Sequence, residues 1–372
     1  MHSHCIEFQA KSPKVHYKRF ARLGFFFYHE KGLLQSYPMR KIFAAIVCTL
    51  LMLSGCQNRR PELFTIGILQ MNDAPTLNET RKGFIESLAH YGLVDGQHVR
   101  ILVENGGGSI SAMQRIAEGF ASRGVDMIVA LSTPSLQAAL HATDDIPIIF
   151  ASVANPYLAG AGASAEDHLP HVAGVSSEGP IRESLNFMKS VLPHAKRIGT
   201  LWTPSELNSN YYLEKARTGA MELDLELIAV PIANASEVLL SAQILINKKI
   251  DVIYQISDNT INQAFHAVGR VAVDNGIPLF GGFLYSTEQG ACAALAWDFY
   301  DMGYKAGAIA AQVKNGRSPR DIPFQYMDRT LLYINLKMAE KQGISFSSDV
   351  LQSADRILDS DLSMLSLATS LD

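Results

Sequence analysis

The sequence predicts an α/β protein made of two doubly wound parallel-sheet lobes with a cleft between them. Three observations carry that expectation. Short apolar, β-branched runs alternate with amphipathic helical patterns from Leu63 onward, which is the order of parallel βαβ units. The same motif order occurs twice along the chain. Each matched run ends in small polar residues, and open parallel sheets bind ligands beyond the carboxyl ends of their strands.

Taken in order, Phe64–Leu69, Val99–Val103, Met127–Leu131 and Ile146–Val153 read as short buried strands. Leu77–Tyr91, Ser111–Arg123 and Ser135–His141 read as the helices between them. The second half repeats the plan. Arg197–Trp202 parallels Thr65–Gln70, Asp251–Ser257 parallels Asp126–Ser132 at an offset of 125, and Ile277–Phe280 parallels Ile146–Ile149 at an offset of 131. The strand tips are Asn72-Asp73, Ser132-Thr133, Asn155, Thr203–Ser209 and Ser257–Thr260. Two sheets with such tips facing enclose a cleft suited to a small molecule. Pro134 fits the first position of a helix, whose N–H groups receive anions. Ser132, Ser205 and Ser257 fit equally well as ordinary N-caps.

Composition agrees with this plan and excludes others. A chain of 372 residues with 48% hydrophobic and 18% charged side chains is long enough for about two domains with their own cores. It is not disordered, collagen-like or disulfide-rich. The formal charge of −4 conceals an asymmetry: residues 1–60 hold ten Lys/Arg and two acids, leaving 22 basic and 34 acidic side chains in residues 61–372. A body that acidic is a poor partner for a phosphate backbone, which excludes nucleic-acid binding.

Met39-Arg40-Lys41 followed by the twelve-residue apolar run Ile42–Leu53 has the form of a secretory signal, too short for an ordinary membrane span. The ending Leu53-Ser54-Gly55-Cys56 resembles a bacterial lipobox, which implies that Cys56 is lipidated and becomes the N-terminus. Residues 1–38 read as an upstream extension, 39–55 as the signal peptide, 56–62 as anchor and linker, and 359–372 as a loose tail. On this reading Cys5 and Cys48 are lost and Cys56 is acylated, so Cys292 is left without a disulfide partner. Its alanine flanks suggest a buried, inert thiol.

Gly67–Gln70, Arg81–Phe84, Asp126–Pro134, Ile146–Pro156, Pro204–Ser209, Ser257–Thr260, Asn335–Glu340 and Ala354-Asp355 resemble the ABC-transporter substrate-binding proteins associated with tryptophan and tyrosine uptake. The resemblance covers residues 64–358. It implies a type I periplasmic-binding fold whose three crossing segments let the lobes open and close. These are expected near Gly174–Ser177, Trp297-Asp298 and Ile322–Gln325. The lobes are then 63–175 with 298–322, and 177–297 with 325–358. The family's acidic residue before Pro-x-Leu corresponds to Asp73, its Thr-Pro to Thr133-Pro134, its Asn-Ser to Asn208-Ser209 and its Asp-Asn to Asp258-Asn259. Ser132, Asn155 and Ser205 complete the expected ligand-binding set.

A zwitterionic amino acid needs donors for its carboxylate and an anion for its ammonium. Ser132, Thr133, Ser205 and nearby N–H groups would supply the first. Asp73 and Asp258 would supply the second, or act as helix caps. Two departures from the family pattern bear on the ligand: Asp73-Ala74-Pro75 stands where Glu-His-Pro is usual, and Asn155-Pro156 where Asp-Pro is usual. The second removes a negative partner for an ammonium. Trp202 and Trp297 fall at a strand tip and a crossing, where they either pack in the core or report closure.

No nucleophile elbow or zinc-binding H-E-x-x-H occurs. Gly106-Gly107-Gly108 lacks the rest of a phosphate loop and reads as a turn into a helix capped near Ser109 or Ser111. Asp167, His168 and His171 have metal-like spacing, but Pro170 breaks any helix there and the stretch reads as a polar surface loop. The expectation is therefore a monomeric, exported, lipid-anchored solute-binding protein without catalytic residues, metal or cofactor. It would deliver a small polar ligand of the amino-acid class, aromatic ones included, to an ABC permease and its ATPase. The alternatives are a ligand sensor docking on a membrane receptor, or an exported α/β enzyme using the same cleft. N-terminal mapping of the exported protein is expected to begin at acylated Cys56, and Cys56→Ala to release the chain from the membrane fraction.

Overall fold

The structure is a computed structural model that describes residues 63–359. The expected extension, signal peptide, lipidated Cys56 and all but the first residue of the expected tail lie outside the described residues.

The first lobe begins with β1 (Phe64–Gln70), α1 (Pro75–His90), β2 (Val99–Asn105), α2 (Ile110–Arg123), β3 (Met127–Leu131), α3 (Thr133–Ala142), β4 (Ile148–Val153) and β5 (Val172–Ser176). Its strands lie in the order β2-β1-β3-β4-β5 and all pair in parallel. Every residue of β3, β4 and β5 is buried, while the edge strand β2 is mostly half-buried or exposed. Helices on both faces demand that pattern. Ser109 caps α2 by accepting from the Ala112 N–H, so the triple glycine before it is a turn.

The second lobe repeats the design with α4 (Ile181–Val191), β6 (Arg197–Trp202), α5 (Leu207–Glu222), β7 (Glu226–Pro231), α6 (Val238–Asn247), β8 (Val252–Gln255), α7 (Asn259–Gln263), α8 (Phe265–Asn275), β9 (Leu279–Gly281) and β10 (Ala293–Ala296). The order β7-β6-β8-β9-β10 is the same as in the first lobe, again all parallel. The three repeated motifs thus occupy equivalent strands. Their shared aspartate has one job in both lobes. Asp126 accepts from the Thr65 N–H at 2.7 Å, and Asp251 accepts from Lys196 and Arg197 at 2.7 and 2.8 Å. These amide bonds hold the Asp251 carboxyl below the usual carboxylate range.

After β10 the chain returns to the first lobe as α9 (Phe299–Lys314), which lies along α1. The two backbones touch. A Cβ on Gly83 would fall 2.1 Å from the Tyr300 carbonyl oxygen, and one on Gly303 would fall 1.9 Å from that of Thr80. β11 (Gln325–Tyr326) then pairs with β5. Only afterwards does the chain cross back to β12 (Leu331–Asn335), antiparallel to β10, followed by α10 (Leu336–Lys341), α11 (Ser348–Ser353) and β13 (Arg356–Leu358).

The crossings are residues 177–180, 297–298 and 327–330. The first comes later than the expected Gly174–Ser177, most of which belongs to β5, and the third later than the expected Ile322–Gln325, so the first lobe extends to Tyr326. Phe324 is buried with its ring 4.8 Å from that of Phe150, which keeps this stretch in the first lobe. The same Phe324 stacks on His168 at 4.4 Å. His171 is 8% exposed, so the loop expected to be solvated is partly buried by aromatic packing. Cys292 is fully buried, its thiol pushed up to about 12 by burial. Gly303→Ala is expected to lower stability by about 1–3 kcal/mol through overpacking. Gly119→Ala, whose Cβ meets only the Arg123 guanidinium at 3.9 Å, should raise it by about 0.5–1 kcal/mol; urea unfolding measures both.

Candidate functional site

Strands β6 and β8 end side by side, and their tips carry two carboxylates. Asp258 caps α7: Oδ1 accepts from the Ile261 N–H at 2.9 Å and from Thr203 Oγ1 at 3.1 Å, while Oδ2 accepts from the Thr203 N–H at 3.0 Å. Glu206, in the turn from β6 to α5, reaches the same place. Its Oε2 accepts from Asn259 Nδ2 at 2.7 Å, Asn208 Nδ2 at 3.0 Å and the Asn259 N–H at 3.3 Å. Its Oε1 accepts from Thr260 Oγ1 at 2.6 Å and the Thr260 N–H at 3.1 Å. Each residue is only 1% exposed, and every one of these donors is a neutral amide or hydroxyl. Burial, together with the Glu206 charge, pushes the Asp258 carboxyl up to about 7.

Glu206 is absent from the expected set although its neighbours Ser205, Asn208 and Ser209 belong to it. An acid just before a helix ordinarily faces water and complements the helix dipole. Its burial here comes from the segment at Asn259, remote in sequence. Ser205 turns out to be exposed and is removed from the site. Ser209 is fully buried and accepts from the Thr203 N–H at 2.8 Å, bracing the turn.

At the β1 tip of the first lobe the side chain that meets the second lobe is Asn72, not Asp73. Asn72 Nδ2 donates to the Asn259 carbonyl at 2.8 Å while its Oδ1 accepts from the Ala74 N–H at 3.1 Å. Asp73 is exposed, a correction to its expected role as an ammonium partner. Ser132 caps α3 and bonds to Ser135 Oγ at 2.8 Å. Its φ of 114° is a conformation that strains any residue but glycine. Thr133 Oγ1 accepts from the Ala154 N–H at 3.2 Å. These two hydroxyls therefore stabilise the strand tips rather than standing free for a carboxylate. Asn155 Oδ1 accepts from the Tyr157 and Leu158 N–H groups, and its side chain also bonds Tyr211 of the second lobe.

A small cavity lies where these tips face each other, lined by Thr76, Leu77 and Ala154 from the first lobe and by Asn208, Asp258 and Asn259 from the second. Asn208 is 6% exposed and its Oδ1 has no partner. Ser177, Tyr212, Ser257 and Phe299 join this polar chamber to an apolar one walled by Ile256, Leu295 and Trp297. The two hold about 10 and 20 Å³, room for one or two waters. A larger open groove of about 680 Å³ lies outside, between α4, α5 and the crossings. It takes no side chain from the strand tips of the first lobe, so the interlobe chambers are the candidate site. The crossings behind them are tied together. The Glu178 carboxylate accepts from Tyr211 at 2.5 Å and Lys215 at 2.8 Å, and its carbonyl accepts from Trp297 Nε1 at 2.6 Å.

Comparison with known proteins agrees with this architecture. The family profile "ABC transporter substrate binding protein" matches residues 65–358. A tyrosine-binding protein of Clostridioides difficile is 35% identical over 325 residues, 82% of this chain and 94% of the relative. A Streptococcus pneumonia domain in complex with L-Trp superposes with a TM-score of 0.76 at 28% identity, covering 80% of this chain and all of that one. A ligand-free, open substrate-binding protein with adhesive properties from Clostridium difficile, with the same coverage and 31% identity, gives 0.61. The chain belongs to the ABC transporter substrate-binding protein family, whose members bind rather than transform their substrates, and its fold is of the type I periplasmic-binding kind. Its lobes superpose better on the ligand-holding relative than on the open one.

Glu206→Ala would strip the acceptor from five donors and is expected to cost about 2–4 kcal/mol in denaturant unfolding. Ser205→Ala, one residue away but exposed, should stay within about 0.5 kcal/mol of the parent.

Proposed function

We propose that this substrate-binding protein captures an aromatic amino acid between its lobes and delivers it to a membrane permease and its ATPase. The observation that carries the proposal is the unpartnered Asn208 Oδ1 beside two buried carboxylates. A primary ammonium is the group such a set of acceptors lacks, because buried polar atoms are otherwise paired. The adjoining apolar chamber, with Trp297, Phe299 and Leu295, suits the ring of the same molecule. Thr76, Ser152 and Ser177 line the polar chamber and offer hydroxyls to its carboxylate. The tyrosine-binding relative and the L-Trp complex support the same ligand class.

Chambers of this size admit no amino acid, so uptake requires the lobes to part at the three crossings and close again. Groups from both lobes at the site make closure favourable when ligand bridges them. The lipobox-like Leu53–Cys56 supports a tether at the cell envelope through Cys56. L-Tyrosine or L-tryptophan at about 100 times Kd is expected to add about 2.7 kcal/mol to stability, seen as a raised Tm of the purified protein. The des-amino analogues, which lack the ammonium, should leave Tm unchanged. An equal shift by the des-amino compounds, or a shift by sugars alone, would remove the amino-acid assignment.

A further inference from the structure

Glu206 and Asp258 are neighbouring carboxylates, each 1% exposed, and nothing that donates to either one carries a charge. The groups facing them from neighbouring elements do not alter this. On α1, Arg81 is held by Gln70 Oε1 at 2.8 Å and Glu79 bonds Tyr285. Asp73 is exposed on the opposite tip. On α5 the Tyr212 phenol is pushed up by burial and stays neutral. Glu237, in the turn before α6, is occupied by the Ala233 N–H and Asn234. Two like charges in such a place repel, and burial with the Glu206 charge beside it favours a proton on Asp258. Beside it sits the one polar atom of the cluster that lacks a partner, Asn208 Oδ1, 94% of its residue buried and lining the cavity.

We propose that Asp258, beside Glu206, keeps its proton while the cleft is without ligand, and releases it to solvent when the ammonium of the ligand enters beside Asn208 Oδ1. This deepens the amino-acid reading above and rests on it. No bond other than the carboxyl O–H breaks. The carboxyl proton passes to water or buffer, and the ammonium takes its place as the counter-charge. Ligand capture is then linked to pH through Asp258, with the charge of Glu206, a residue outside the expected binding set, helping to hold the proton on. Protons and ligand compete for the same acceptors, so affinity falls as pH falls.

The test is calorimetric titration of the purified protein with L-tyrosine or L-tryptophan on both sides of neutral pH, in phosphate and in Tris. Below the Asp258 value of about 7, the association constant is expected to rise by nearly tenfold per pH unit and to level off above it. The binding heat should differ between the buffers by their ionisation heats, revealing the proton released. Asp258→Asn should bind more weakly and with a flat pH profile; Glu206→Gln should move the bend to lower pH. Binding by the unmodified protein with a flat profile and buffer-independent heats would overturn the proton exchange while sparing the ligand class. No binding of either amino acid at any pH would overturn both. The buffer comparison needs no substitution, so it decides between these outcomes even where a variant fails to fold.

Discussion

Where α1 and α9 cross, Gly83 meets the carbonyl of Tyr300 and Gly303 that of Thr80, with no space for a Cβ between them. That contact fixes more than two helices. α1 starts just after Asn72, the residue that reaches the second lobe, and its first turn supplies Thr76 and Leu77 to the cavity. α9 starts at Phe299, one residue after the second crossing, and Phe299 lines both chambers. The first-lobe wall of the site and the residue that ends the second crossing are therefore held by one helix pair.

The opposing wall is held by charge. Glu206 and Asp258 each tie one strand tip of the second lobe to the other, through four and two neutral donors across the gap. Neutral donors satisfy the oxygens without cancelling the charge, so the wall stays attractive to a cation. Attraction of that kind strengthens as the lobes exclude water. In the first crossing, Glu178 accepts bonds from both α5 and the second crossing, which links two crossings to the helix that follows the β6 tip.

Much of this is legible in the sequence, because burial on both faces leaves a periodic trace. The strands and the helices between them follow the apolar runs, and the duplicated order of Thr65–Gln70 and Arg197–Trp202 corresponds to equivalent strands β1 and β6. Asp258 can be singled out because a cap and a strand tip coincide there. What is not legible is orientation beyond the strand ends. Whether Asn72 or Asp73 turns inward depends on the local path into α1, and Ser132 at φ 114° follows no propensity rule. Glu206 resembles any acid just before a helix until the segment at Asn259 is placed against it. The third crossing is expected too early because Gln325-Tyr326 is too short a strand to leave a pattern, and only its pairing with β5 assigns it.

The interrupted make-up of the first lobe has a consequence for its biosynthesis. A chain emerging from its N-terminus completes β5 at Ser176, yet Met302, Ala306 and Ala310 of α9, which fill the core over Phe84, are more than a hundred residues from being translated. Until then α1 presents an apolar, glycine-notched face with nothing to cover it. Segments fold as units when their own core is complete, so this lobe stays immature on the ribosome. The native core of the first lobe is therefore complete only once α9 has been made, after the whole run of strands β6–β10.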